Sequence, residues 1–256
     1  GNTVSKHLLN SNPQAAQLAV GVRGGTQTAG IIIHALRDAN AGHATLQLDV
    51  KNAFNELDRN AMLRAAKRFG PSLYGFAAAL YGNGKQDLAY FLDGADVETI
   101  ECETGVTQGC GLGTLLFALA FHECIIAELE VDQAKELREF KDIMICAYAD
   151  DAAITGPSTQ ILAFAERLAQ RLEKEAALTV KEHIFHPPQN VERQTKLYGE
   201  DGYLAGRLPG FRIATEGIVF AGNPIGSIEF VNVEVGKIVA KHAKRLAAIR
   251  DFANTS

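Results

Sequence analysis

Apolar and polar positions change rhythm several times along the chain, and each change marks an element. Residues 1–19 are polar and weakly patterned. "VGVRGGTQTAG" then makes a glycine-rich turn, with Thr26 placed to cap a helix running through Ile31, Ile32, His34 and Leu36. "ATLQLDV", residues 44–50, reads as a strand ending at Asp49. Helical spacing follows over 61–69 and, after Pro71, over 73–80. "LAYFLDGADVETIEC" predicts two strands joined at Asp93-Gly94, a dipeptide that favours tight hairpins. "TGVTQGCGLG" is a glycine loop feeding an apolar helix over 115–130. Residues 143–155 form two short strands around a bend, and a long amphipathic helix covers 159–177. Short strands at 211–214 and 217–220 lead to a closing helix around 228–249. This order of strands and helices predicts an α+β fold: an antiparallel or mixed sheet covered by helices on one face. No boundary divides 1–256 into separate domains, and no repeat is present.

Composition narrows this picture. The 256 residues are 47% hydrophobic and 21% charged, as in a globular protein with a full core. Gly1 in place of Met suggests a tag remnant on a piece of a longer chain. No secretory signal and no membrane span is visible, since the longest apolar stretch, 112–127, carries His122 and Glu123. Cys102, Cys110, Cys124 and Cys146 form no C-x-x-C pair, which predicts reduced thiols in an intracellular protein of the nucleus or cytoplasm. The net charge of -5 weighs against nucleic-acid binding and calls for an explanation.

"ICAYADDAAIT" sets Asp150 and Asp151 side by side among apolar residues. A turn alone accounts for adjacent Asp, because Asp bonds its own backbone. A third acid, Asp49, closes another apolar strand. If the strand ends are neighbours, three carboxylates converge, repel one another and raise their pKa values. Divalent cations resolve that conflict: oxygen donors and negative charge suit Mg²⁺, and paired ions suit phosphoryl transfer. "VRGGTQ" offers Arg23 at a helix start, either for an anion or as a capped turn; no Gly-Lys-Ser/Thr follows to make a P-loop. His183 and His186 read as loop residues before Pro187-Pro188, and His122, Glu123 and Cys124 as packed helix residues. Lys237, Lys241, Lys244, Arg245 and Arg250 form a solvated helix face or a duplex contact.

"DVKNAF", "TGVTQG", "AYADD" and "GIVFAGNPIGS" occur in the order of the motifs of reverse transcriptases, and the chain resembles those of non-LTR retrotransposons and group II introns. The resemblance implies a polymerase palm with a remnant of fingers (1–43), a palm-centred core (44–227) and a helix leading to a thumb (228–256). It implies Asp49, Asp150 and Asp151 as catalytic, metal-binding acids for two Mg²⁺ ions, or Mn²⁺ in their place. It makes Phe54 a steric gate favouring deoxynucleotides, with an ordinary core Phe as the alternative. Gln108 and Gly109 would approach template or nucleotide, Tyr148 would pack beneath the primer end, and Gly222 would cradle the primer backbone. The partners implied are an RNA template, a DNA or RNA primer and dNTPs, with no membrane, together with further fingers, thumb or other domains of a longer parent.

The sequence departs from the family at two places. Gly111, Gly113 and Thr114 stand where relatives carry a Pro and a Ser-Pro. Ile184 holds the position of a family lysine, and Lys181 lies three residues earlier. These departures keep two alternatives open: a non-catalytic relic that binds nucleic acid or a partner, and a palm-type RNA-templated RNA polymerase. A nucleotidyl cyclase is not supported, because no G-G-[DE]-[DE]-F hairpin is present.

Overall fold

Small side chains in the middle of the chain let strands meet closely, and they build the centre of the molecule. The computed structural model describes residues 4, 8, 11–90, 98–107, 109–188 and 207–254. Eight residues of "HATLQLDV" form β2 (His43–Val50), flanked by β6 (Asp151–Pro157) and β7 (Val180–His186). The other strands of this sheet are β1 (Ala15–Gln17), β5 (Met144–Tyr148) and β8 (Phe211–Ile213), in the order β1-β5-β6-β2-β7-β8. Its four central strands pair antiparallel, whereas β1 and β8 add in parallel at the two edges. The sheet is therefore mixed. Two ribbons stand apart, β3 (Gln86–Tyr90) with β4 (Glu98–Cys102), and β9 (Gly217–Phe220) with β10 (Asn223–Gly226). The predicted Asp93-Gly94 turn lies outside the described residues.

Alternation along the strands sends apolar residues to both faces. Leu46, Leu48, Ile145, Ile154 and Phe185 enter the larger core. There they meet α3 (Arg59–Phe69), α5 (Gly113–Ala134) and α6 (Ser158–Ala176). Cys146, Ala153 and Ile184 face the opposite way, onto Ala29 and Ile33 of α1 (Gly25–Ala39) and onto Ile218, Phe220 and Ile225 of the β9–β10 ribbon. The second face is thus covered as well, by one helix and a hairpin, where the sequence pattern predicted helices on one side. The short α2 (Ala53–Glu56) and α4 (Pro71–Tyr81) lie between β2 and β3 in the chain, and α7 (Ile228–Asn254) closes it.

Three local expectations are corrected. Thr26 does not cap α1: the cap position is Gly24 in the left-handed conformation (φ 63), and Thr26 Oγ1 instead donates to Gln27 Oε1. The weakly patterned opening contains β1, a strand too short to show alternation. His183 and His186 are strand residues, not loop residues. They sit an odd number of residues apart and so face opposite sides of the sheet. His183 Nδ1 bonds the Pro209 carbonyl (2.8 Å) and His186 Nδ1 the Ala214 carbonyl (2.7 Å). His122 is buried against Ser11, and burial next to Arg68 lowers its pKa to about 4.

The contact of α1 with the sheet depends on one glycine. A methyl group on Gly25 would lie 2.0 Å from the Leu18 carbonyl oxygen and 3.4 Å from the Tyr148 ring. Gly75, exposed within α4, has open space around it. Gly25→Ala is expected to destabilise the protein by about 1–3 kcal/mol, as overpacking does. Gly75→Ala is expected to stabilise it by about 0.5–1 kcal/mol. Urea titration of both variants checks the pair, and a stable Gly25→Ala would show that α1 does not seat as described.

Candidate active site

The β5–β6 hairpin closes with Tyr148 paired to Asp151, leaving Ala149 and Asp150 as its two turn residues. Ala149 adopts the left-handed conformation (φ 56), which a tight hairpin requires at its first turn position. The adjacent strand β2 pairs with β6 as far as Leu48 with Ala152, and one step further along lie Asp49 and Asp151. Like charges so placed across neighbouring strands are unfavourable. Two distant stretches of sequence therefore deliver three acids to one end of one sheet.

Electrostatics record that meeting. Burial raises the pKa of Asp150, a hydrogen bond to its own backbone lowers it, and the negative charge of Asp49 raises it again. Asp151 is pushed up to about 6, first by burial and then by the charges of Asp150 and Asp49. Lys181 Nζ lies 3.3 Å from Asp49 Oδ2. A bulge between Asp49 and Val50 shifts the β2–β7 register at this point. Lys181, three residues before the family lysine position, thus sets its cation against Asp49. Among the described residues, no group of three or more His, Cys, Asp or Glu side chains is placed to hold a metal ion as it stands. The three acids supply oxygen donors of the kind a hard divalent cation takes, and Lys181 offsets the charge of Asp49 alone.

A second group of residues gathers beside the end of β2. Phe54, in α2, stacks on Phe117 of α5 with ring centroids 4.6 Å apart. Its backbone carbonyl accepts from Val106 N–H (2.8 Å), while Leu57 carbonyl accepts from Gly105 N–H (2.8 Å). Gly105 is in the left-handed region (φ 68), and a Cβ there would sit 2.4 Å from Phe54 O. Buried Arg59 fastens the same loop, donating from Nε to Gly105 O (3.0 Å) and from Nη1 to Gly84 O (3.0 Å). The "DVKNAF" turn and the "TGVTQG" loop are thereby one unit. Between them lies a cavity of about 250 Å³ lined by Phe54, Thr107, Gly109 and Cys110. Gly109 (φ 88) faces open space, so its backbone is accessible there. Gln108 lies outside the described residues.

The remaining sequence candidates stand elsewhere. Arg23 is exposed just ahead of α1, whose Gly25 packs by Tyr148. Gly222 (φ 81) follows Ala221 (φ 47) at the tip of the β9–β10 hairpin. Asn223 moors that tip to α1 by donating to the Thr26 carbonyl (2.7 Å). No contact of Arg23 or Gly222 with the three acids is present among the described residues. Sequence reasoning missed Arg59 and Gln17, and the signal for Gln17 was a lone amide within "AAQLA".

A sequence model of the family "Reverse transcriptase (RNA-dependent DNA polymerase)" matches residues 2–183. The chain belongs to this reverse transcriptase family. Solved structures agree at the level of fold. Apo telomerase from Candida tropicalis superposes with a TM-score of 0.56 at 11% identity, over 80% of this chain and 36% of that one. Telomerase from Candida albicans, in complex with the TWJ fragment of telomeric RNA, gives 0.54 at 10% identity, over 80% and 34%. The chain spans about a third of the length of these telomerase chains. The fold is that of a reverse-transcriptase palm, and Asp49, Asp150 and Asp151 lie at one end of its sheet.

The raised pKa of Asp151 predicts how stability depends on pH. A carboxyl whose folded pKa, about 6, lies above the unfolded value near 3.8 binds protons more tightly when folded. Stability contributed by this group is therefore lost as pH rises from about 4 to about 6. Without divalent cation at pH 7.5, Asp151→Asn is expected to melt about 2–4 °C above the parent, after allowance for solvent screening at a half-exposed site. That advantage should shrink towards pH 4. Thermal melts across this range check it, and an advantage that grows at low pH would contradict the assignment.

Proposed function

We propose that this chain is the palm-centred part of an RNA-directed DNA polymerase of retrotransposon type, transferring a nucleotidyl group from a dNTP to a primer 3′-hydroxyl. The observation that carries this reading is that Asp49, from β2, lies close enough to the β5–β6 hairpin for its charge to raise the pKa of Asp150 and of Asp151, beyond the larger effect of burial. Membership of the family supplies the reaction class. Residues 1–43 correspond on this reading to part of the fingers, 44–227 to the palm and 228–256 to the approach to a thumb, within an intracellular protein. An RNA template and a DNA or RNA primer are the proposed partners, and the telomeric RNA bound to the Candida albicans telomerase is consistent with an RNA partner.

Asp49, Asp150 and Asp151 would hold two Mg²⁺ ions, or Mn²⁺ in their place. Such ions, when bound, favour ionisation of the attacking hydroxyl and neutralise charge on the leaving pyrophosphate. The chain's own residues do the positioning. The Phe54 ring, stacked on Phe117, forms a wall of the cavity it shares with Thr107, Gly109 and Cys110. A wall of that kind rejects a sugar carrying a 2′-hydroxyl. The Gly109 backbone offers close approach to the nucleotide or template, and Tyr148 supports the primer end from the strand that leads into the acid-bearing turn. Gly222 bears on the primer backbone from its moored hairpin, and Arg23 offers a cation to phosphate at the mouth of α1. Lys181, which pairs with Asp49, would give up that contact if a divalent cation took the same carboxylate oxygen. The contact of Lys181 with Asp49 also favours a second reading, a relic in which the lysine permanently replaces the ion.

Primer extension on an RNA template, with the full-length parent protein and Mg²⁺, separates these readings. Asp150→Ala is expected to lower extension at least about a thousandfold, the scale of several kcal/mol of lost transition-state stabilisation, while the melting profile stays cooperative. Phe54→Ala is expected to weaken dNTP-over-rNTP discrimination by about 10–200-fold. Equal extension by Asp150→Ala and the parent would overturn the proposal, and equal use of rNTPs by the parent would favour an RNA polymerase.

A further inference from the structure

The two turn residues that carry Asp150 have no partner strand beyond them, yet Ala149 is held from one side. Gln17, the last residue of β1, is fully buried with 0% exposure. Its Oε1 accepts from Ala149 N–H at 3.0 Å, and its Nε2 donates to the Ala149 carbonyl at 3.3 Å. The same Oε1 accepts from Ala19 N–H at 3.2 Å. One side-chain amide thus imitates the peptide of a neighbouring strand and satisfies both backbone groups of a single residue. That residue is in the left-handed conformation, which alanine adopts only under constraint. Next to it, the Leu18 N–H donates to the Ala147 carbonyl at 2.8 Å, so the end of β1 is fixed before its amide reaches the turn.

Resting on the reading of this site as a polymerase centre, we infer that Gln17 is a positioning residue, which clamps the Ala149 peptide and thereby fixes Asp150 and Asp151 for divalent cation. The logic is spatial. Ala149 immediately precedes Asp150, so any rotation of the Ala149 backbone swings both acids. Burying an amide is unfavourable unless its hydrogen bonds are made, and here three are made by one side chain. Groups that orient metal ligands in this manner commonly change metal affinity by 10–100-fold when they are removed.

Gln17→Met keeps nearly the same volume and removes every one of these bonds. Three readouts apply: Mn²⁺ binding by calorimetry with MnCl₂ alone, hydrogen exchange at the Ala149 amide, and primer extension resolved into kcat and the KM for dNTP. The expected result is an approximately tenfold weaker Mn²⁺ affinity. Faster exchange at Ala149 and a lower kcat with little change in KM should accompany it. Ala16→Gly, on the same strand, serves as a control for stability lost without loss of the clamp, and is expected to keep the parent's Mn²⁺ affinity. If Gln17→Met does not fold, Gln17→Glu retains the oxygen that faces Ala149 N–H and Ala19 N–H, and a smaller loss, roughly threefold, is expected. Parent-like Mn²⁺ affinity together with unchanged Ala149 exchange overturns the inference. Failure of the polymerase reading shows differently: Asp150→Ala would then leave extension intact, and Ala149 exchange would still decide whether Gln17 clamps the turn.

Discussion

Carboxylates forced together at one end of a sheet repel one another, and most of what surrounds the site follows from that constraint. Asp150 and Asp151 lie at the tip and first rung of the β5–β6 hairpin, and Asp49 comes from the strand next to it. Asp150 and Asp151 are partly withdrawn from water, so their charged forms are penalised twice, by burial and by neighbouring carboxylates. A protein selected only for stability would separate such groups or pair each with a base. Here one lysine approaches one of the three. The stability this arrangement costs is offset by two apolar cores, which pin the same strands from both faces.

The cores also explain why the acids cannot drift apart. Leu46 and Leu48 pack against the α5–α6 side, while their neighbours on β2 point to the α1 side. Slipping β2 by one residue would reverse every one of these side chains, exchanging Leu48 with Asp49. Register is therefore fixed by hydrophobic burial, and it is register that brings Asp49 level with Asp151. Around the Phe54 turn the same economy holds. The left-handed Gly105 permits the loop to lie directly on the Phe54 and Asn55 carbonyls, and Arg59 holds it there from beneath. Without that contact the aromatic wall and the Gly109 backbone would belong to independent loops.

Features that depend on local chemistry were legible in the sequence. Adjacent acids between two apolar strands announced a charged hairpin bend, the regular spacing of α3 and α6 announced their buried faces, and the continuous apolar run of α5 announced a helix buried on most sides. The family followed from four motifs in order, and the α+β layout from the alternation of elements. Features decided by distant partners were not legible. β1 is three residues of "AAQ", a strand only because β5 supplies its hydrogen bonds. β7 reads as polar because His183 and His186 look solvated, although each spends its Nδ1 on a backbone carbonyl and is buried. Thr26 looked like a cap, but the close approach of Gly25 to Leu18 starts the helix earlier. The clamp formed by Gln17 spans more than a hundred residues of sequence, and no periodicity could reveal it.

The acidic balance, which argued against nucleic acid, loses force once charge is located instead of summed. From Lys237 to Arg250 the exposed helix α7 carries five Lys or Arg residues and no Asp or Glu. The negative excess lies elsewhere, part of it concentrated where Asp49, Asp150 and Asp151 meet. Segregated charge creates local potentials of both signs that a net count of -5 conceals. The 237–250 stretch of α7 is thus basic and the sheet end acidic, while Glu229, Glu234 and Asp251 fall on α7 outside that stretch. The acidic end repels phosphate only while its own charge is uncompensated, so any cation drawn to it removes the repulsion and the penalty of burial together. The same acids that lower the isoelectric point are thus the strongest reason for the molecule to take up a counter-charge before it meets a second anion.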